Sequence, residues 1–296
     1  MRFKLILFLV LVILAVILGF YFKKDLAGLY QSYGWKTVKE FADFKEAGIN
    51  NIILQVKKEV FAPSPLKVGG QDQSQVILLQ NKIIKETNDQ RMQNGNLPVL
   101  KENERLNQAA WAKATDMFQK QYFDHISPIG VGPGDLVQMH GYQYIITGEN
   151  LILGNFASEK EIVQRWMDSP GHRENILNSR YTEIGVAVIK GIYNGETVWI
   201  GVQEFGHPLS SCPEPSPAFK SQIIYEQARL DAMVEQIEQR KNQIENSSPS
   251  EPAYEQMIKD YNQMVKEYND LAETVKNLIS QYNAQVNDFN SCVSKK

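Results

Sequence analysis

Cysteine is scarce in this 296-residue chain, with two copies, and histidine is little commoner, with four: His125, His140, His172 and His207. Two thiols exclude a disulfide-dense scaffold and an all-cysteine zinc site, which takes four, and four imidazoles leave material for one small metal site. An excess of basic charge is also missing, since 31 Lys and Arg stand against 34 Asp and Glu for a net charge of −3. Without a basic field there is no electrostatic footprint for nucleic acid. No G-x-S-x-G elbow presents a serine nucleophile, and no G-x-x-x-x-G-K loop cradles a phosphate. Hydrophobic residues at 43% and charged residues at 22% argue against a wholly disordered, collagen-like or multi-spanning chain.

One long apolar run is present. From Leu5 to Phe22 the chain reads LILFLVLVILAVILGFYF without a charge, and as a helix at about 1.5 Å per residue it reaches roughly 27 Å, close to a bilayer's hydrocarbon thickness. Basic residues flank it on both sides, and no clean A-x-A cleavage pattern follows. Residues 1–24 are therefore predicted to be a transmembrane signal anchor, with a cleaved signal peptide as the alternative. Either way the bulk of the chain is expected outside the cytoplasm, and the anchor places it at the cell membrane as a single-pass protein.

Composition then divides the rest. Residues 25–74 are mixed and end in the breaker run APSPLKVGG, read as a juxtamembrane segment and linker. Residues 75–208 carry an α/β pattern: an apolar helical run at 75–85, a second helix through NERLNQAAWAKATDMF, and a hairpin turning on Asn194-Gly195 between EIGVAVIKGIY and ETVWIGVQEFG. Residues 209–217 form a linker with prolines at 213, 215 and 217. Residues 218–296 are predicted to be an antiparallel helical hairpin or coiled coil. Ile223, Leu230, Ile237 and Ile244 repeat every seven residues in one arm. Tyr254, Met257, Tyr261, Met264, Tyr268, Leu271, Val275, Leu278, Tyr282 and Phe289 form the stripe of the other. Such a hairpin returns Cys292 to the neighbourhood of Cys212, so a disulfide fits an oxidising compartment; two unpaired thiols, with the arms pairing to another chain, is the alternative.

The words that carry chemistry lie in the middle: YFDHISP, GYQYIITGENLILG and IVQRWMDSPGHRENIL. With NDQR, LPVL, LNQAAWAKATDM, EIGVAV and VWIGVQEFG around them, this ordered series resembles the CAP superfamily of cysteine-rich secretory, antigen 5 and pathogenesis-related proteins, and within it the bacterial secreted type. The resemblance covers about 130 residues. It implies an α+β fold, an α/β/α sandwich of the CAP type, with a cleft lined by two histidines and two glutamates. Residue by residue, His125, Glu149 and His172 match three of the four. The second glutamate has no match: its position is Ser169, with Asp168 one residue earlier, on a different side of a helix.

Read as chemistry, two converging imidazoles suit a divalent ion such as zinc, and one carboxylate completes the shell or orients a bound water. An open position on zinc activates water, so a metal-dependent extracellular hydrolase using His125, Glu149 and His172 is one expectation. The same residues also read as a structural cluster, with Glu149 accepting backbone N–H groups and His172 capping a helix start. Ser127 and Ser169 stand near the histidines, but nothing in the sequence marks either as a nucleophile. The preferred expectation is a surface binding or interaction module, its cleft offered to a cell-wall, lipid or protein partner, its helical tail a spacer, docking arm or site of self-association.

Overall fold

The computed structural model describes residues 58–70 and 75–295, so the predicted anchor at 1–24 lies outside the described residues. Among the described residues no helix is long and apolar enough to cross a membrane. Among the described residues the chain divides into two compact units, one of residues 58–70 and 75–213 with 289–295, the other of residues 214–288.

The larger unit is built on three long antiparallel strands. Strands β5 (Glu183–Tyr193) and β6 (Glu196–Pro208) are joined by the two-residue turn that the sequence marks. Asn194 (φ 49°) and Gly195 (φ 83°) both take the left-handed conformation that a tight hairpin with matching twist demands. Strand β4 (Tyr144–Gly154) pairs antiparallel with the other side of β6, and β3 (Lys101–Glu102) closes the far edge beside β5. Every residue of β4 is buried, which requires cover on both faces.

Helices supply that cover. On one face α2 (Glu104–Lys120) lays Ala110, Ala114 and Met117 against Leu151, Leu153, Ala187, Ile200 and Val202. Its small residues let it approach closely: a Cβ on Gly185 of β5 would collide with the Leu106–Asn107 backbone. On the other face α1 (Gln80–Gln93) and α4 (Glu159–Asp168) pack with the short α5 (Pro170–Ile176) around Trp166. The apolar run at 75–85 is thus only partly helical; Leu78 enters the core ahead of the helix start. A further short helix, α3 (Pro133–Met139), packs against α2 and β4.

The reading of residues 25–74 as juxtamembrane segment and linker needs correction where the structure describes them. Strands β1 (Glu59–Phe61) and β2 (Leu66–Lys67) pair in parallel with β4, so this segment is part of the sheet. Pro63 and Pro65 interrupt one edge strand instead of marking a linker, as proline does where a sheet edge needs no donor.

The smaller unit is a pair of helices, α6 (Pro217–Glu245) and α7 (Tyr254–Lys295), the latter ending in the larger unit. They run antiparallel: Ser216 N–H bonds Gln285 near one end, and Arg240 faces Asp260 near the other. Ile223, Leu230, Ile237 and Ile244 are buried in the seam as the seven-residue repeat predicts. On α7 the predicted stripe is right in one row and shifted in the other. Tyr261, Tyr268, Val275 and Tyr282 are buried, but their partners are Val265, Ala272, Ile279 and Val286, with Met264, Leu271 and Leu278 half-buried at the flank. Smaller side chains at the closest approach explain the shift, because they let the helices come together while the longer ones cover the rim. Cys212 and Cys292 form the expected disulfide, and with Ile145 and Phe289 they make a small apolar cluster in the larger unit.

Candidate functional site

Strand β4 places Glu149 and strand β6 places Glu204 directly opposite it. By the two-residue alternation both point to the face of Leu151 and Val202, beneath α2. His125 arrives from the loop after α2, and its Nδ1 meets Glu149 Oε1 at 2.5 Å. His172 arrives on α5, which packs on the opposite face of the sheet. The imidazoles therefore reach β4 from two sides. All four are buried, His125 at 7% exposed, His172 at 1%, Glu149 and Glu204 at 0%.

The sequence reading named His125, Glu149 and His172 and did not name Glu204; the structure sets Glu149 against His125 and opposite Glu204. Asp168, weighed as the stand-in carboxylate, is exposed and accepts from Gln164 on its own helix. Ser169 instead places its Oγ 2.8 Å from His172 Nδ1. The second carboxylate is Glu204, in the word VQEFG. Its signal was the alternation Val198, Ile200, Val202, Glu204, which puts a carboxylate on a core face.

The surroundings hold these groups in place. Lys113 of α2, 3% exposed, donates to the His125 carbonyl at 2.6 Å. Behind His172 runs a buried amide chain: Asn175 donates to Asn150 Oδ1, Asn150 to Gln203 Oε1 and to the His172 carbonyl, and Gln203 to Thr87. Arg91 of α1, the arginine of NDQR, bonds the carbonyls of Pro98, Ile176 and Asn178 and so pins the end of α5.

Residues 84–205 match the family model described as CAP, the cysteine-rich secretory protein family. This central region is a CAP domain. The uncharacterized protein YkwD of Bacillus subtilis is 41% identical over 117 residues, 40% of this chain and 45% of that protein. The uncharacterized membrane protein YlbC of the same organism is 30% identical over 114 residues, 38% of this chain and 32% of its own length. The chain thus spans less than half of either relative. Among solved structures, an extracellular SCP-domain protein from Bacillus anthracis is 27% identical, at a TM-score of 0.36, over 43% of this chain and 41% of that one. An outer surface protein of Borrelia burgdorferi is 22% identical, at a TM-score of 0.38, over 43% of this chain and 91% of that one.

Within the CAP domain burial acts on Glu204 and His172 in opposite senses. Burial first, then the Glu149 charge and a hydrogen bond shared with Glu149, hold the Glu204 carboxyl well above the ordinary carboxylate range, with Lys113 a weak counterweight. The protonated form of Glu204 is therefore favoured beside Glu149. Burial first, and then the neighbouring His125, bring His172 down to about 4, so it is neutral as well. His125 Nε2 faces the carbonyl of Pro63, which only accepts, so Nε2 carries a proton. Nδ1 is engaged by Glu149 Oε1.

Apart from the contact between the two carboxyls, Glu149 Oε2 and both oxygens of Glu204 have no hydrogen-bond partner, whereas His172 also meets the Leu151 backbone. Two imidazoles and two carboxyls have the chemistry of a divalent-metal donor set. As arranged they do not fit an ion, since both His125 nitrogens are engaged and, among the described residues, no three His, Cys, Asp or Glu side chains are gathered to hold one. Neither serine is poised for attack. Ser127 Oγ accepts from Val131 N–H in its own turn, and Ser169 faces a histidine too weakly basic to take its proton at neutral pH. His207 is buried and satisfied by the Arg180 carbonyl and Ser211.

Proposed function

We propose that this chain is a membrane-anchored surface protein whose CAP domain is a binding module, with the two long helices as a coiled-coil spacer or docking arm. One observation carries the reading: the cleft holds buried carboxyl oxygens of Glu149 and Glu204 that have no partner beyond each other. His172 is a poor base and His125 is tied at both nitrogens. Buried unsatisfied polar atoms that are tolerated in a folded domain are what a recognition site offers to a polar ligand.

The alternative, a metal-dependent hydrolase using His125, Glu149 and His172, requires an ion such as zinc to displace the Pro63 carbonyl from His125. The test is co-sedimentation of the purified full-length chain with isolated cell envelopes, beside a folded His125→Ala plus His172→Ala variant. The binding reading expects retention by the parent and loss in the variant. Equal retention overturns it, and so does zinc-dependent hydrolysis of ester or peptide substrates that the variant lacks.

A further inference from the structure

Residues 58–70 lie across the cleft, and the way they are held is that of a ligand. Glu59–Phe61 and Leu66–Lys67 add to the edge of β4 through parallel backbone pairing, and Val68 N–H continues it to the Leu153 carbonyl at 2.8 Å. Between these pieces Ala62, Pro63, Ser64 and Pro65 leave the strand path directly over the polar groups. Side chains of the domain read this segment, Gln138 among them, which accepts from Lys58 at 2.5 Å. Arg180 forks onto the Glu59 carboxylate at 2.7 and 3.1 Å, Asn175 Nδ2 reaches the Phe61 carbonyl at 3.4 Å, and His125 Nε2 donates to the Pro63 carbonyl. Gly171 leaves room for the proline ring: a Cβ there would come within 2.7 Å of Pro63 Cβ.

The segment gives the domain little in return. None of residues 58–70 is buried: Leu66 and Val68 touch the rim of the core half-buried, and Val60 and Phe61 are 44% and 39% exposed. A strand of the sandwich core sends alternate side chains fully inward, as β4 and β6 do; this one is held chiefly by its backbone and one carboxylate. Backbone addition to a sheet edge, with a few side-chain readers for register, is a recurrent mode of peptide recognition.

We propose that the cleft is a binding site for an extended, proline-containing peptide that carries a carboxylate four residues before the proline, and that residues 58–70 are its resident occupant. Arg180 selects the carboxylate, the β4 edge takes the backbone, Asn175 and His125 take two carbonyls, and Gly171 admits the proline. A partner peptide of the same pattern exchanges with the resident one. This inference rests on the reading of the cleft as a binding site.

The test uses the full-length chain with a protease recognition sequence in place of residues 71–74, cut after folding. Fluorescein-labelled synthetic peptide KEVFAPSPLKVGG, the sequence of residues 58–70, is followed by fluorescence anisotropy. The labelled peptide is expected to bind the cut chain and not the uncut one. Binding should be at least about threefold weaker for a peptide with the Glu59→Ala change, which loses the charge-assisted fork, and absent for a scrambled sequence. Failure of the peptide to exchange, equal binding of the scrambled peptide, or loss of cooperative unfolding once the cut segment is removed would each overturn the proposal. The last would show residues 58–70 to be a structural strand. Peptide exchange and envelope retention are separate readouts, so loss of the first with the second intact sinks this inference alone, and the converse sinks only the broader reading.

Discussion

Glu204→Gln should stabilise the CAP domain at neutral pH and at the same time uncover a pH dependence that the parent hides. Glu204 keeps its proton in the folded protein and loses it on unfolding above its ordinary value of 4.5. The folded state then holds the extra proton, so stability falls as pH rises, at about 1.36 kcal/mol per unit. His172 works in the opposite sense. Its folded value of about 4 lies below the ordinary 6.5, the unfolded chain holds the extra proton, and stability is lost as pH falls from 6.5 towards 4. Where both apply, the two contributions oppose each other: the folded domain favours the proton on Glu204 and the unfolded chain favours it on the imidazole. Glutamine keeps the shape and a donor towards Glu149 but removes one side of that balance. Relative to the parent, Glu204→Gln should be unchanged near pH 4.5 and progressively more stable as pH rises, by about 1.36 kcal/mol for each unit over which the folded parent alone holds the Glu204 proton. Urea titrations of both proteins from pH 4.5 to 7.5, followed by the buried Trp166 and Trp199, measure the difference directly. Background carboxylates drop out because both proteins carry them. A difference independent of pH, or a variant less stable than the parent at pH 7, would refute the protonation assignment.

Three other variants probe the frame of the site and the bond that closes the helical pair. His125→Ala removes the partner of a fully buried Glu149 and should cost about 3 to 5 kcal/mol in urea unfolding; a cost below about 1 kcal/mol would mean that Glu149 is not charged against His125. Arg91→Lys keeps a charge but loses the planar fork that joins Pro98 to Ile176 and Asn178, and should lower stability by about 2 to 4 kcal/mol, read as a fall in melting temperature. The Cys212–Cys292 bond closes a sequence separation of 80 residues, so replacing both by serine should cost up to about 4.5 kcal/mol by chain entropy. A variant that unfolds like the parent would show that the helical pair already fixes its own ends in the unfolded ensemble.

Much of the frame was legible because local chemistry wrote it. The Asn194-Gly195 turn, the α2 helix and the seven-residue repeats of α6 each depend on residues close in sequence, and each is where the sequence puts it. His125, Glu149 and His172 were legible as words shared with a family. Glu204 was not, because its partner strand lies about 50 residues away. The β4–β6 register of Glu149 against Glu204 is set across α4, α5 and β5 instead of by a turn. Strand alternation could have flagged a buried carboxylate at 204, but only tertiary pairing says what it faces. The shifted row on α7 has a related cause. Periodicity locates a stripe to within one residue, and the choice between Leu271 and Ala272 is made by how closely the other helix approaches.

The segment at 58–70 was misread for a physical reason that also bears on its role. A strand is recognisable when its side chains alternate between core and solvent, and this one buries none of them fully. What holds it is backbone pairing, one ion pair at Glu59, the Lys58 bond to Gln138 and the Phe61 and Pro63 carbonyls on Asn175 and His125, none of which leaves a repeating pattern in residue type. A sequence bound in this way is constrained by the site it occupies far more than by the core it borders. Its composition therefore reads as a linker, while its geometry is that of a peptide in a groove. The words shared with the family surround the groove, and the occupant lies outside the matched residues 84–205. Partner choice can then change by altering a short edge segment or its readers, Arg180 and Asn175, while the sandwich that presents them stays as it is.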